Sequence, residues 1–259
     1  MPSKTPDADR IKAILVPVAT LGTIFFNWIA AMGLINGITP EMVSGLYPTP
    51  VTPAGFAFTI WTAIYIGLAA FSVYQLLPQH GERFRPVRTW FIVSCVLNCA
   101  WLYFWAYEMI GLCMVTILAL LAVIFVINTK LWKPETTGQY WMTKAPFGLY
   151  FGWVTAASAV NIAVFLVSKQ FNISASTMNI LGIALLVLAV AVVIAVRVKF
   201  KNYLAPLAVA WALTAIAVKQ SGNTAIVVAS VVGVIACLIA STSVIMELST
   251  INKNGSDLG

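Results

Sequence analysis

The sequence predicts an all-α integral membrane protein with about eight transmembrane helices. Its 259 residues are 61% hydrophobic and only 9% charged, whereas soluble domains contain about 25% charged residues. The apolar runs are continuous, and transmembrane strands would instead alternate apolar and polar residues. A helix needs about 20 apolar residues to cross a hydrocarbon layer about 30 Å thick. The length and continuity of these runs therefore indicate membrane helices.

Eight apolar runs follow one another along the chain, separated by short polar segments. The first is too long for the apolar core of a signal peptide, so we expect it to remain as a membrane helix. The third and fourth runs are joined by a tight turn, and the seventh is short. The predicted spans are 13–38, 54–77, 89–109, 111–131, 145–168, 177–196, 203–219 and 223–246.

Basic residues alternate between the two sides of this arrangement. Of the 15 Lys and Arg residues, 13 lie in the two terminal segments and in the loops at 78–88, 130–144 and 197–202. The other two, Lys169 and Lys219, lie in loops on the opposite side. Because cytoplasmic loops carry the excess of basic residues, we expect a multi-pass protein of a bacterial cytoplasmic membrane with both termini cytoplasmic.

The spans lack the residues of several reaction classes. Their central parts contain no Asp, Glu, Lys, Arg or His, and such residues mark proton relays and ion pathways. The four cysteines lie in apolar runs without a His or an acid beside them, which predicts free thiols rather than a metal site. The net charge of +7 arises in the loops, so no nucleic-acid partner is expected. We predict no catalytic and no metal-binding residue.

Three spans carry polar-tipped aromatic side chains and Asn on a single helix face. Phe58, Trp61 and Tyr65 of the second span fall within an arc of about 100°. Asn in hydrocarbon needs a hydrogen-bond partner, so these faces point at other helices or at a cavity. Spacing alone leaves both alternatives open. The faces of the third and fifth spans carry Asn98, Trp101 and Trp105, and Tyr150, Trp153 and Asn161.

The depth of these side chains favours a cavity near one membrane face. Trp61 lies about 10 Å from that face, at a helical rise of about 1.5 Å per residue. Trp28, Trp101 and Asn161 fall in the same half of their spans. All lie beneath the segment 39–53, whose prolines at positions 48, 50 and 53 predict an extended, turn-rich loop. An apolar pocket with a few polar groups under a loop is the usual shape of a small-molecule site.

Three motifs resemble those of the TspO/MBR family, the tryptophan-rich sensory or translocator proteins. They are similar to the family's signatures in the second, third and fifth helices, and they occur in the same order. Two departures predict a pocket that differs from the family pattern: the spacing from Phe58 to Trp61 is one residue short, and Leu149 replaces a proline. The motifs are PAGFAFTIWTAIYIGLAA at 53–70, LNCAWLYFW at 97–105 and LYFGWVTAASAVN at 149–161.

The resemblance implies a TspO-like five-helix bundle over residues 1–168, followed by an additional three-helix membrane segment at 169–259. It also implies a pocket for a flat apolar ligand, with no covalent cofactor. Many members of the family are homodimers, and a homodimer is possible here. The sequences Gly33-x-x-x-Gly37 and Gly148-x-x-x-Gly152 permit close helix packing, within or between chains.

We therefore expect a membrane receptor or translocator that binds a porphyrin such as protoporphyrin IX, haem, a sterol or a related lipid, among membrane lipids. Classical enzyme activity is not expected. Two alternatives remain: a secondary transporter of a small amphipathic solute, and a porphyrin-degrading membrane enzyme. The predicted ligand-binding residues are Trp28, Phe58, Trp61, Tyr65, Asn98, Trp101, Trp105, Tyr150, Trp153 and Asn161.

Overall fold

A computed structural model describes residues 7–78, 81–131 and 136–242. These residues form helices and connecting turns, without a β-strand. Seven helices are long and apolar enough to cross a membrane, and a shorter apolar helix lies at 204–219. Each of the eight predicted spans coincides with one of these helices, so the all-α integral membrane fold is confirmed. The predicted end of the last span at 246 lies outside the described residues, as do Lys4, Lys133 and Lys253 of the charge pattern.

Two segments adjoin the helices without being α-helical. Gly55–Thr59 is a 3₁₀ turn that leads into the second span, and Tyr140–Lys144 is π-helical and leads into the fifth. The α-helices in chain order are α1 Asp7–Ala31, α2 Pro40–Leu46, α3 Ile60–Tyr74, α4 Gly81–Ala106, α5 Ile110–Lys130, α6 Thr137–Gln139, α7 Ala145–Ser168, α8 Ala175–Phe200, α9 Leu204–Lys219 and α10 Thr224–Thr242.

Helix α1 ends earlier than predicted, at Ala31 rather than at residue 38. Gly33, Asn36 and Gly37 all have positive φ, at 70°, 55° and 69°. Gly and Asn adopt this left-handed conformation most readily, and it ends a right-handed helix. The pair Gly33 and Gly37 therefore forms the turn after α1 and is not a helix-packing motif.

The loop at 39–53 contains a short helix, α2, which corrects the prediction of an extended segment. The Thr39 side chain caps α2 by accepting a hydrogen bond from the backbone N–H of Met42 at 3.2 Å. Pro40 follows directly, in the first turn of the helix. Proline is favoured there because the first helical N–H groups have no intrahelical acceptor. The capping residue and Pro40 therefore start a helix at 40–46, and the turn-forming prolines act only after it ends.

The loop is also tied to the turn between α4 and α5. Glu108 in that turn has φ 54°, in agreement with the predicted tight connection. The Tyr47 hydroxyl donates a hydrogen bond to Glu108 Oε2 at 2.9 Å. Burial and the neighbouring Glu108 carboxylate together raise the pKa of Tyr47. Tyr47 therefore stays protonated as the donor at physiological pH.

The helices pack around α4 and α7. Helix α4 packs against α1 and α5, and α7 packs against α3, α5 and α9. The rings of Phe71, Phe91 and Phe147 meet at the centre of this bundle, with centroids 4.9 to 5.8 Å apart. Helices α8 and α10 pack against α9 and against each other. Helix α7 therefore joins the first five spans to the last three.

Candidate functional site

Trp61 lies at the centre of an aromatic cluster between α3 and α7. Its ring stacks on Tyr65, with centroids 5.2 Å apart and planes 13° from parallel. Tyr150 and Trp153 contact it edge-on at 5.8 and 6.1 Å. Phe58 contacts Trp153 at 6.1 Å. The structure therefore places the predicted faces of the second and fifth spans in contact.

The predicted face of the third span meets α7 and α1. Trp101 stacks on Trp105 at 5.4 Å, and its Nε1 donates a hydrogen bond to Asn161 Oδ1 at 3.1 Å. Asn98 Oδ1 accepts a bond from Asn27 Nδ2 at 2.7 Å. Asn27 was missed in the sequence analysis. It is an intramembrane Asn in the first span, and that property is the signal that could have identified it.

An inner cavity of about 40 Å³ lies between these faces and below the loop at 39–53. This volume has room for only a few water molecules, since each needs about 10 to 15 Å³ of such space. The aromatic side chains therefore fill most of the pocket expected beneath the loop. The cavity is lined by Ser44, Pro53, Phe58, Trp61, Trp101, Trp105, Trp153, Ala156, Ala157, Val160, Asn161, Ala212 and Ile216.

A much larger space, the α1–α3 groove, lies between α1 and α3 and has a volume of about 580 Å³. This volume lies within the usual range for small-molecule pockets, about 300 to 1,000 Å³. Trp28 and Ile66 at its edge are 55% and 67% exposed, so the groove faces the surroundings of the bundle. It is lined by Ile24, Asn27, Trp28, Ala31, Thr39, Pro40, Glu41, Phe58, Trp61, Thr62, Tyr65, Ile66, Ala69 and Leu102.

Eight of the ten predicted site residues line one or both of these spaces. Phe58 and Trp61 line both, and so form a shared wall. Asn98 and Tyr150 are buried beside the cluster and line neither space. The α1–α3 groove is also lined by Trp28 and Tyr65. The inner cavity is also lined by Trp101, Trp105, Trp153 and Asn161.

Some buried polar atoms at the site have no hydrogen-bond partner among the described residues. They include the Tyr65 hydroxyl at the α1–α3 groove and the Ser44 hydroxyl at the inner cavity. A buried polar group without a partner costs about 1 to 3 kcal/mol. Such groups are therefore candidate contacts for a polar atom of a ligand.

The loop above the inner cavity is held by α9, one of the last three spans. Four hydrogen bonds join the loop and the following 3₁₀ turn to this helix and to the residue after it. Helix α9 therefore positions the loop at 39–53 above the inner cavity, a role that the sequence did not indicate. The bonds run from Gln220 Nε2 to Thr49 O (3.1 Å) and Thr52 O (3.0 Å), from Trp211 Nε1 to Ala57 O (3.0 Å), and from Ala54 N to Ala215 O (3.0 Å).

Replacing Gln220 by Ala should make the loop at 39–53 more mobile. The substitution removes two hydrogen bonds, each with a net value of about 0.5 to 1.5 kcal/mol. We expect amide hydrogen exchange across 49–57 to accelerate roughly tenfold. The neighbour Lys219 is exposed, and its side chain forms no hydrogen bond or ion pair with the described loop residues, so Lys219→Ala is the control and should leave the exchange unchanged. Equal exchange in the two variants would show that Gln220 does not hold the loop.

Comparison with protein families matches residues 13–244 to the family described as TSPO-like protein. The chain belongs to this family. The match confirms the resemblance found at the three motifs, and it continues beyond them through the whole of α10. Searches of curated proteins and of solved structures found no match to this TSPO-like chain.

Proposed function

We propose that this TSPO-like protein is a receptor or translocator that binds a flat apolar ligand at the wall formed by Phe58 and Trp61. The ligand classes are porphyrins or haem, sterols and related lipids. The proposal rests mainly on one observation, the 580 Å³ α1–α3 groove that shares this wall with the inner cavity. The groove has the volume for such a ligand, and the wall has the aromatic surface to stack on it.

Trp61 is the central residue of the proposed mechanism. Its ring separates the groove from the inner cavity and is stacked on its own neighbour, Tyr65. Rotation of the Trp61 side chain would join the two spaces into one pocket that extends to Trp101 and Trp153. A ligand that enters between α1 and α3 would then replace Tyr65 as the stacking partner of Trp61. The entry route leads from the membrane, in which apolar ligands dissolve.

Binding is tested with the purified protein in detergent or nanodiscs. Protoporphyrin IX, haem and a sterol are each titrated, and the amount of ligand retained by the protein is measured directly. Trp fluorescence is not used as the readout, because the variants lack tryptophans that contribute to it. The variant Trp61→Phe with Trp153→Phe should bind roughly five- to tenfold more weakly, because aromatic pairs contribute about 0.5 to 1.5 kcal/mol each.

Trp141→Phe is the matched control, since Trp141 is exposed and lines neither space. It should bind as the wild type does. The absence of saturable binding for all three ligands would refute the proposal. Loss of porphyrin absorbance during illumination would instead indicate the porphyrin-degrading alternative.

The transporter alternative predicts a helix interrupted near the middle of the membrane. Within the described residues, the long helices run unbroken through their centres, and the π-helical segment lies before α7 begins. Uptake into vesicles tests this alternative directly. Accumulation of a bound ligand against its gradient would favour the transporter over the receptor.

A further inference from the structure

Two polar groups of the α1–α3 groove have no partner in the part of the chain that the structure describes. One is the buried hydroxyl of Tyr65. The other is the carboxylate of Glu41, which no hydrogen bond or ion pair joins to another described residue. Both side chains line the groove. They are therefore its candidate polar contacts.

Glu41 lies at the loop end of the groove, in the first turn of α2. Its carboxylate occupies the position that a side-chain Cβ would take at Gly55. Glycine at position 55 therefore leaves room for the carboxylate against the start of the 3₁₀ turn. This placement holds a negative charge at the rim of a mainly apolar space.

Tyr65 lies deeper in the same groove, ten residues after Gly55. The helical rise and the tilt of side chains toward the helix N-terminus separate the two polar groups by about 10 to 15 Å. The Tyr65 ring stacks on Trp61. Its hydroxyl can donate or accept a hydrogen bond.

The charge of the groove discriminates among ligand classes. Glu41 is the only charged residue in the described lining, which contains no Lys, Arg or His. An amine or alcohol head group would form a charge-assisted hydrogen bond with the Glu41 carboxylate. A carboxylate ligand, including a tetrapyrrole with two propionates, would meet a like charge at the rim and no cation to pair with.

We infer that the α1–α3 groove takes an elongated membrane amphiphile with an amine or hydroxyl head at Glu41 and a second oxygen at Tyr65. Ligands whose polar end is a carboxylate bind this groove more weakly than their amine counterparts. This inference rests on the proposed function and narrows its ligand class. Glu41 is thus a specificity-determining residue, and Tyr65 anchors the far end of the ligand.

Three probes of one chain length, about 10 to 15 Å, test the inference in neutral-lipid nanodiscs at pH 8. They are an ω-hydroxyalkylamine, the ω-hydroxy acid in which a carboxylate replaces the amine, and the alkylamine without the hydroxyl. At this pH the amine is protonated and the acid is ionised. The wild type should bind the hydroxyalkylamine roughly tenfold more tightly than the hydroxy acid.

Glu41→Gln should reduce this preference to within about twofold. Glu108→Gln is the matched control, because Glu108 lies at the same end of the bundle, does not line the groove, and as Gln still accepts the Tyr47 bond. It should keep the wild-type preference. Discrimination that survives Glu41→Gln, or equal binding of the amine and acid probes by the wild type, overturns the inference.

Tyr65→Phe tests the far end and keeps the ring that stacks on Trp61. The advantage of the hydroxyalkylamine over the alkylamine should be roughly fivefold in the wild type and absent in this variant. Tyr103→Phe, at an exposed ring outside the groove, is the control and should change nothing. An advantage that persists in Tyr65→Phe overturns the assignment of Tyr65.

The porphyrin titration separates failure of the inference from failure of the proposed function. Saturable porphyrin binding without binding of the amine probes overturns the inference and leaves the proposed function standing. The absence of binding by any porphyrin, sterol or amine probe overturns both.

Discussion

Replacement of Arg88 by Ala should destabilise the protein by about 3 to 5 kcal/mol, the usual effect of removing one partner from a buried ion pair. Arg88 is only 3% exposed. Its Nη1 lies 2.6 Å from Asp9 Oδ2, and its Nε donates to Gln75 Oε1 at 2.8 Å. These contacts join the start of α1, the end of α3 and the start of α4. Removing the guanidinium leaves a buried carboxylate without its main partner. Thermal unfolding in detergent would measure the loss.

Arg85 provides an internal comparison for this prediction. It also contacts Asp9 Oδ2, at 3.0 Å, but its side chain is 39% exposed. Exposed ion pairs contribute about 0 to 1 kcal/mol, so Arg85→Ala should lower stability only slightly. Arg10→Ala, at an exposed position, controls for the loss of one positive charge. If the Arg88 and Arg85 variants unfold at the same temperature, the buried pair does not stabilise the junction of α1, α3 and α4.

Span positions are predictable from the sequence because apolar length is a local property. The end of α1 was placed too late because the residues after Ala31 remain apolar. The turn there depends on positive φ at Gly33 and Gly37, and hydropathy does not register backbone dihedral angles. Likewise, the Thr39 cap and Pro40 specify α2 within a segment whose three later prolines suggested only turns.

The site could be predicted only in part because helix rotation and side-chain packing decide which faces meet. The spacing of Trp61, Trp101 and Trp153 correctly indicated residues that come close together. It could not indicate that their rings fill the space beneath the loop, leaving about 40 Å³. Nor could it place the large groove between α1 and α3, which Glu41 from the loop and Tyr65 both line.

The contact between α7 and α9 supports the second large prediction, for Gly152→Leu. A Cβ at position 152 would overlap the carbonyl oxygen of Ala205 and lie 2.9 Å from the Ala208 Cβ. A backbone carbonyl cannot move aside as a flexible side chain can, so α9 must shift. Overpacking usually costs about 1 to 3 kcal/mol, and more where the backbone must move. We expect a loss of about 3 kcal/mol or more in thermal unfolding.

Gly22→Leu is the matched control, because no atom lies within 4 Å of a Cβ at that position. The same replacement in α1 should leave stability unchanged or raise it slightly, since Leu favours a helix more than Gly does. An equally small effect of Gly152→Leu would contradict the close α7–α9 contact.

The α7–α9 contact also links the last three spans to the loop above the inner cavity. Asn202, which precedes α9, lies against Gly148, and α9 itself lies against Gly152, so this face of α7 is not available to a second copy of the chain. The same helix accepts a hydrogen bond from Ala54 N at Ala215 O and, through Trp211, donates one to Ala57 O. Displacing α9 by Gly152→Leu should therefore accelerate amide exchange across 49–57 as Gln220→Ala does, although residue 152 contacts no loop residue. Unchanged exchange in a variant that is destabilised would show that the loop is held independently of α7.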